Sequence, residues 1–291
     1  MMKFTACAAA AALLWLPLTG AASAQETDTI VVTGQTQDQV QRFVDNVSIS
    51  VGPTDQLARW DNSICTSIVG LPRRQGQFFA DRIAQRAYAL GIQPGAPGCH
   101  GNVAVFVTDD ADGMAQSMFE EDASLFAYYQ EANISTMGQD AFRQNFLNSD
   151  RPVRWWHVAE TFSADGIALR GDASSGGIQN APAVRASGTR LRGETRQDFA
   201  RVIIIVDANQ VGGAQLASLA DYVAMVALAQ INPQADTSGF PTILNLFNGG
   251  DAATQLTDWD QAFLNSLYNT TRASANALQQ RREIARRMQG G

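Results

Sequence analysis

The side chains able to do chemistry in this chain are few and scattered. Of its two histidines, His100 lies in the loop Cys99-His100-Gly101-Asn102 and His157 on an extended stretch between Trp155 and Ala159. Two imidazoles cannot build a three-histidine metal site, and each would serve as a general base only beside a carboxylate brought from elsewhere in the chain. For His157, Glu160 or Asp207 could play that part, giving a metal-independent hydrolase. The plainer reading makes His157 a strand residue packed among aromatic rings. Trp155, Trp156 and His157 together also offer flat surface with polar edges, the makings of a ligand cleft. The acidic run Asp109-Asp110-Ala111-Asp112-Gly113 invites calcium. Setting Gly113 as the invariant glycine of a calcium loop puts Thr108 at its start and Phe119 at its end. Neither meets the loop's requirement there, so a solvated turn is expected. No Gly-x-Ser-x-Gly elbow, glycine-rich dinucleotide fingerprint or Walker sequence occurs, and no metal or cofactor is expected. Ser174-Ser175-Gly176-Gly177 reads as a loop.

The remaining reactive residues are cysteines, and their compartment decides their chemistry. Lys3, the apolar run Ala6 to Leu18 and the small-residue site Ala22-Ser23-Ala24 have the form of a secretory signal peptide over residues 1–24, cleaved after Ala24. The expected location is periplasmic or secreted. Removing the leader removes Cys7 and leaves Cys65 and Cys99, far apart and without a Cys-x-x-Cys spacing. In an oxidising compartment the expected role is one structural disulfide. Closing that loop contributes roughly 3–4 kcal/mol by chain entropy. No later stretch is apolar for long enough to span a membrane, for which about eighteen residues are needed. A net charge of −7 disfavours nucleic acid and anionic lipid as partners.

The elements that would position these residues follow from periodicity and punctuation. Residues 25–42 are polar around Thr29–Thr33 and read as a flexible N-terminal tail. Phe43, Val44, Val47, Ile49 and Val51 alternate weakly, as a strand would. A helix is expected over 75–90, with Phe78, Phe79, Ile83, Ala87 and Leu90 as its stripe and Gly91 at its end. Residues 102–108 read as a buried strand, and 109–150 as mostly helical until Pro152. Residues 153–162 alternate as a strand, a candidate edge. Val202 to Val206 are five consecutive β-branched residues, suited to a central strand covered on both faces. A helix is expected over 212–230, ended by Pro233. Another opens at the N-cap Thr257, with Asp258 and Asp260 near its positive end. Arg281, Arg282, Arg286 and Arg287 suit the negative end of a last helix. The expectation is one α/β (α+β) domain over 43–291, a mixed twisted sheet with packed helices.

The stretch Gly212 to Tyr268 carries a resemblance. A long apolar helix leads to Thr242-Ile243-Leu244, then Leu256-Thr257 and Asp260 open a helix that reaches Leu267-Tyr268. This order resembles the zinc-binding core of matrixin-like metzincins and of secreted bacterial families that look like degenerate zincins. The resemblance places Asp221 and Met225 where the two zinc histidines of H-E-x-x-H stand, and Tyr222 where the water-activating glutamate stands. The third-ligand region falls on Asn232, Asp236 and Ser238, and the methionine turn on Thr242–Leu244. A thioether, one carboxylate and amides make a poor zinc site. The resemblance therefore implies a zincin-like frame without its metal: an exported, non-catalytic protein that binds a peptide or protein partner in the old cleft. The alternatives are the His157 hydrolase, and an envelope accessory protein acting through Thr29–Gly34, which resembles the TonB-contacting segment of outer-membrane receptors.

Overall fold

A computed structural model describes residues 36–50, 56–61, 63–129, 133–167, 169, 192–249, 252–272 and 274–290. The leader, the Thr29–Gly34 segment and the Ser174–Gly177 loop lie outside the described residues. The order of elements is α1 (Gln37–Val47), β1 (Thr66–Val69), α2 (Arg73–Ala89), β2 (Val103–Thr108), α3 (Ala111–Glu121), β3 (Ile134–Ser135), α4 (Gln139–Phe142), β4 (Val153–Ser163), β5 (Thr195–Asp207), α5 (Leu216–Leu228), α6 (Asp258–Asn269) and α7 (Ala277–Met288). The five strands form one mixed sheet in the order β1-β2-β5-β4-β3. β1, β2 and β5 run parallel, while β4 is antiparallel to both β5 and β3. Among the described residues no helix is long and apolar enough to cross a membrane.

The β-branched run of β5 explains the layering. Val202, Ile204 and Val206 point into one core, and Ile203 and Ile205 into another on the opposite face. A central strand in a parallel arrangement must be apolar on both sides, because helices cover both faces. The larger core also takes α1, α2, α5, α6 and α7. The smaller one is built from Phe126, Phe142 and Phe146 against Trp156 and Val158, with helix α3 alongside. The expected disulfide joins Cys65 to Cys99. It ties the start of β1 to the loop that enters β2.

Sequence expectations are corrected at two elements, α1 and β4. Residues 43–47 are not a strand, and residues 37–42 are not a tail: both belong to α1. Val40, Phe43, Val44 and Val47 are all buried, the spacing of one helical face. Thr36 and Gln39 close a capping box at its start. The second correction concerns β4. It is not a free edge, because β3 pairs with it at Ala159 and Glu160, and Val153 through Glu160 are buried.

Candidate functional site

Helix α5 is buried on every side from Ser218 to Leu228. A helix apolar all round sits inside its domain, so its few polar side chains must find partners or face an opening. Asp221 finds partners. Nε and Nη2 of Arg82 donate to its two oxygens at 2.8 and 2.7 Å, and those of Arg86 at 2.9 and 2.8 Å. The Leu256 N–H adds a third source at 3.2 Å. Burial pushes this carboxyl up, but the hydrogen bonds from both arginines outweigh it and hold it below the usual carboxylate range. Met225 is fully buried in the larger core. The two positions that the resemblance gives to zinc ligands are thus a salt-bridge anchor to α2 and a packing residue. Among the described residues there is no group of three or more His, Cys, Asp and Glu able to hold a metal ion.

Tyr222 behaves differently. Its ring packs edge-on to Trp155 and Phe247, with centroids 6.3 and 5.1 Å apart. The residue lines a cleft of about 510 Å³. The side chain is only 5% exposed, yet among the described residues the hydroxyl has no hydrogen-bond partner. It is not sealed in either: the sealed, unpartnered polar atoms belong to Arg154, Arg196, Gln197 and Gln289. Burial pushes the phenol up to about 12, opposed by the positive charge of Arg151. Tyr222 is therefore a neutral donor and acceptor at working pH.

The opposite wall of this cleft comes from the chain that enters β4. After α4 the helix widens into a π turn over Arg143–Leu147, a distortion that often accompanies functional sites. Asn145 lies in that turn. It is 5% exposed, lines the same cleft, and its carboxamide has no hydrogen-bond partner among the described residues. Arg151 follows, just before Pro152, and its guanidinium makes no ion pair with any described residue. The third wall is the segment after α5. There Asn245 braces the loop by donating to the Thr237 and Phe240 carbonyls, both at 2.8 Å. It presents Leu244, Phe247 and Asn248. A smaller adjoining recess adds Asn232 and Trp155. A volume of this size is typical of small-ligand sites, about 300–1,000 Å³.

No protein-family model, curated protein or solved structure matches this chain. The chemistry of the cleft rests on its own side chains.

The other sequence candidates stand apart from this cleft, except Trp155 at the recess. Trp155 and His157 face the larger core, and Trp156 the smaller one, so the three do not share a surface. His157 is buried, stacked on Phe199 at 5.1 Å, and Nε2 lies 2.7 Å from the Val226 carbonyl oxygen. Glu160 accepts from Asn133 at 3.1 Å. Asp207 ends β5, whereas His157 pairs with Val202 further back. Asp110 caps α3 by accepting from the Gly113 N–H, and Asp112 pairs with Arg154, so the acidic run is a helix start. A second cleft of about 460 Å³ contains Trp60, Glu160, Asp198 and Arg201. Its carboxylates are already committed: Asp198 pairs with Arg196 at 3.0 Å and with Arg272 at 3.1 Å.

The Leu244 wall depends on one carboxylate. Buried Asp260 accepts from the Thr242 hydroxyl at 2.5 Å, the Ile243 N–H at 2.8 Å and the Thr257 N–H at 2.9 Å. It fastens the turn to the start of α6 while serving that helix's capping box. Burial pushes its carboxyl up, against these hydrogen bonds. Asp260→Asn turns one acceptor oxygen into a donor that faces other donors. The expected loss is about 1–2 kcal/mol, read from urea denaturation, with faster amide exchange at Ile243 and Leu244. An unchanged exchange pattern would remove Asp260 as the fastening of this wall.

Proposed function

We propose that this is an exported, non-catalytic binding protein that captures an extended peptide of a partner in the cleft between Tyr222, Asn145 and Leu244. One observation carries the reading. Two polar side chains, Tyr222 and Asn145, are both nine-tenths buried, have no hydrogen-bond partner among the described residues, and line the same opening. The polar atoms of both reach the opening instead of being sealed in the interior, so a ligand entering the cleft can hydrogen-bond to them. Carboxamides dominate the rest of the lining, with Gln144, Asn148, Gln234 and Asn248. Amides pair well with peptide N–H and C=O groups, which are amides themselves.

The zincin-like frame belongs to this proposal. Helix α5 lies against β5 of a mixed sheet, and the turn at Ile243–Asn245 packs against α5. Tyr222 at the glutamate position and Leu244 in the methionine-turn position line one cleft. The frame would then keep a binding groove where the metal chemistry is lost. Export rests on the leader and agrees with the disulfide, which oxidising compartments favour.

Two measurements test the proposal on the mature protein. Purified protein, titrated with an equimolar mixture of random hexapeptides, is expected to show amide and side-chain NMR shifts at Asn145 and along 231–248. Elemental analysis is expected to find no stoichiometric zinc. Peptide hydrolysis, a bound equivalent of zinc, or shifts confined to other surfaces would overturn the reading.

A further inference from the structure

The charge in the cleft narrows the ligand, on the assumption that the cleft is a peptide site. Arg151 lines both the main cleft and the adjoining recess that Tyr222 shares. Its guanidinium is committed to no carboxylate among the described residues. The one carboxylate in the lining, Asp150, is its exposed chain neighbour on the rim and makes no ion pair with it. Several other arginines are ion-paired, Arg82 and Arg86 to Asp221, Arg196 and Arg272 to Asp198 and Asp61, and buried Arg154 to Asp112, whereas half-buried Arg201 in the second cleft, like Arg151, makes no ion pair with a described residue. What sets Arg151 apart is its neighbour: it shares the cleft with Tyr222, whose hydroxyl has no hydrogen-bond partner among the described residues, and its positive charge acts on that phenol.

We infer that Arg151 and Tyr222 together hold a carboxylate of the captured peptide, while Asn145 bonds the peptide amide next to it. The planar guanidinium offers parallel N–H groups that match the two oxygens of a carboxylate. The neutral phenol donates to the same group. The Asn145 carboxamide offers both a donor and an acceptor, which a peptide unit answers in kind. A neutral sugar would leave the guanidinium unanswered, and an amine would be repelled by it. The carboxylate has two sources: the free C-terminus of a peptide, or an internal Asp or Glu side chain.

The experiment uses the mature, oxidised protein and three hexapeptides of otherwise identical alanine-rich sequence. The first has a free C-terminal carboxylate, the second a C-terminal amide, and the third a C-terminal amide with one internal Glu. Binding is followed by NMR titration against wild type, Tyr222→Phe and Arg151→Gln. The free acid, the Glu peptide or both are expected to bind at least about tenfold more tightly than the plain amide, since a hydrogen bond to a charged group is worth that much or more. Preference between the first and third identifies the source. Arg151→Gln is expected to erase the advantage, and Tyr222→Phe to reduce it about tenfold. Tyr222→Phe removes a hydroxyl with no hydrogen-bond partner among the described residues, so its denaturation midpoint should stay at the wild-type value. That separates a ligand contact from a structural one. Equal binding of all three peptides, unaffected by Arg151→Gln, would overturn carboxylate recognition and leave peptide capture standing. Binding of none would remove both.

Discussion

Replacing Asp221 by Ala is expected to lower stability by about 3–4 kcal/mol, the largest effect of any single substitution considered. Two arginines, Arg82 and Arg86, converge on one fully buried carboxylate, each with two hydrogen bonds. Deleting the anion leaves two like charges one helical turn apart with nothing between them. It also strips the Leu256 N–H of its acceptor. Removing one partner of a buried ion pair typically costs about 3–5 kcal/mol. The lower part of that range applies because the arginine side chains are 26% exposed and can turn towards water. In a domain of this size the loss amounts to roughly 6–16 °C in Tm, at about 2–4 °C per kcal/mol. The control is to replace all three residues by Leu, which is expected to recover much of the loss, since apolar packing often substitutes for a buried ion network. A denaturation midpoint unmoved by Asp221→Ala would refute the anchor. The same anchor has an acid limit. Its folded-state carboxyl lies below the usual 3.8. Its contribution is therefore complete above that value and fades as pH falls through the lower, folded-state one.

Much of the frame was legible because its signals are local. The β-branched run Val202 to Val206 declares a central strand by composition alone, and Thr257 with Asp260 declares a helix start by capping chemistry. The α2 stripe and the Gly91 stop place that helix to within two residues of its observed start, Arg73. α1 was missed because Phe43, Val44 and Val47 suit a weak alternation as well as a helix. Val40, three residues earlier, decides for the helix, and it fell in a stretch whose polarity suggested a tail. Arg82 and Arg86, one turn apart on α2, carry no decisive signal in the sequence, since such a pair is as readily solvated as paired. That Asp221 answers both is a tertiary fact. The cleft was hidden for a deeper reason. Asn145 and Arg151 lie far from Tyr222 in sequence, and their importance is that their side chains bond no described residue. Periodicity reports which residues are buried, not which buried groups lack a partner. The resemblance did single out Tyr222, but as a lost glutamate and not as a hydroxyl with a use of its own.

The second large effect is a pH dependence that one residue supplies. Protein stability is expected to fall by roughly 2 kcal/mol between pH 7 and pH 5 on account of His157. Burial pushes this imidazole down from 6.5 to about 4, and the hydrogen bond to the Val226 carbonyl opposes the shift only in part. The unfolded chain takes up a proton near 6.5, and the folded chain not until about 4. Between those values the unfolded state holds more protons, so acid favours unfolding. The contribution of a neutral His157 is whole above 6.5 and falls steadily below it; under about 4 both states are protonated and this group adds no further loss. The full difference is on the order of 3 kcal/mol, at about 1.4 kcal/mol per pH unit. His157→Gln keeps a side-chain donor for Val226 and removes the titration. Its urea midpoint should therefore change far less over the same pH interval, even if it is lower at pH 7. Asp198 and Asp260, whose carboxyls burial pushes up, act in the opposite sense as pH falls, so the test is the difference in slope: equal pH slopes for wild type and His157→Gln from pH 7 to 5 would contradict a dry, neutral imidazole. The outcome also bears on catalysis. A general base at neutral pH has to accept a proton from a substrate it can touch. A ring that resists protonation until about pH 4, packed on Phe199 and bonded to the backbone of α5, serves instead to hold β4 to the helix that carries Tyr222.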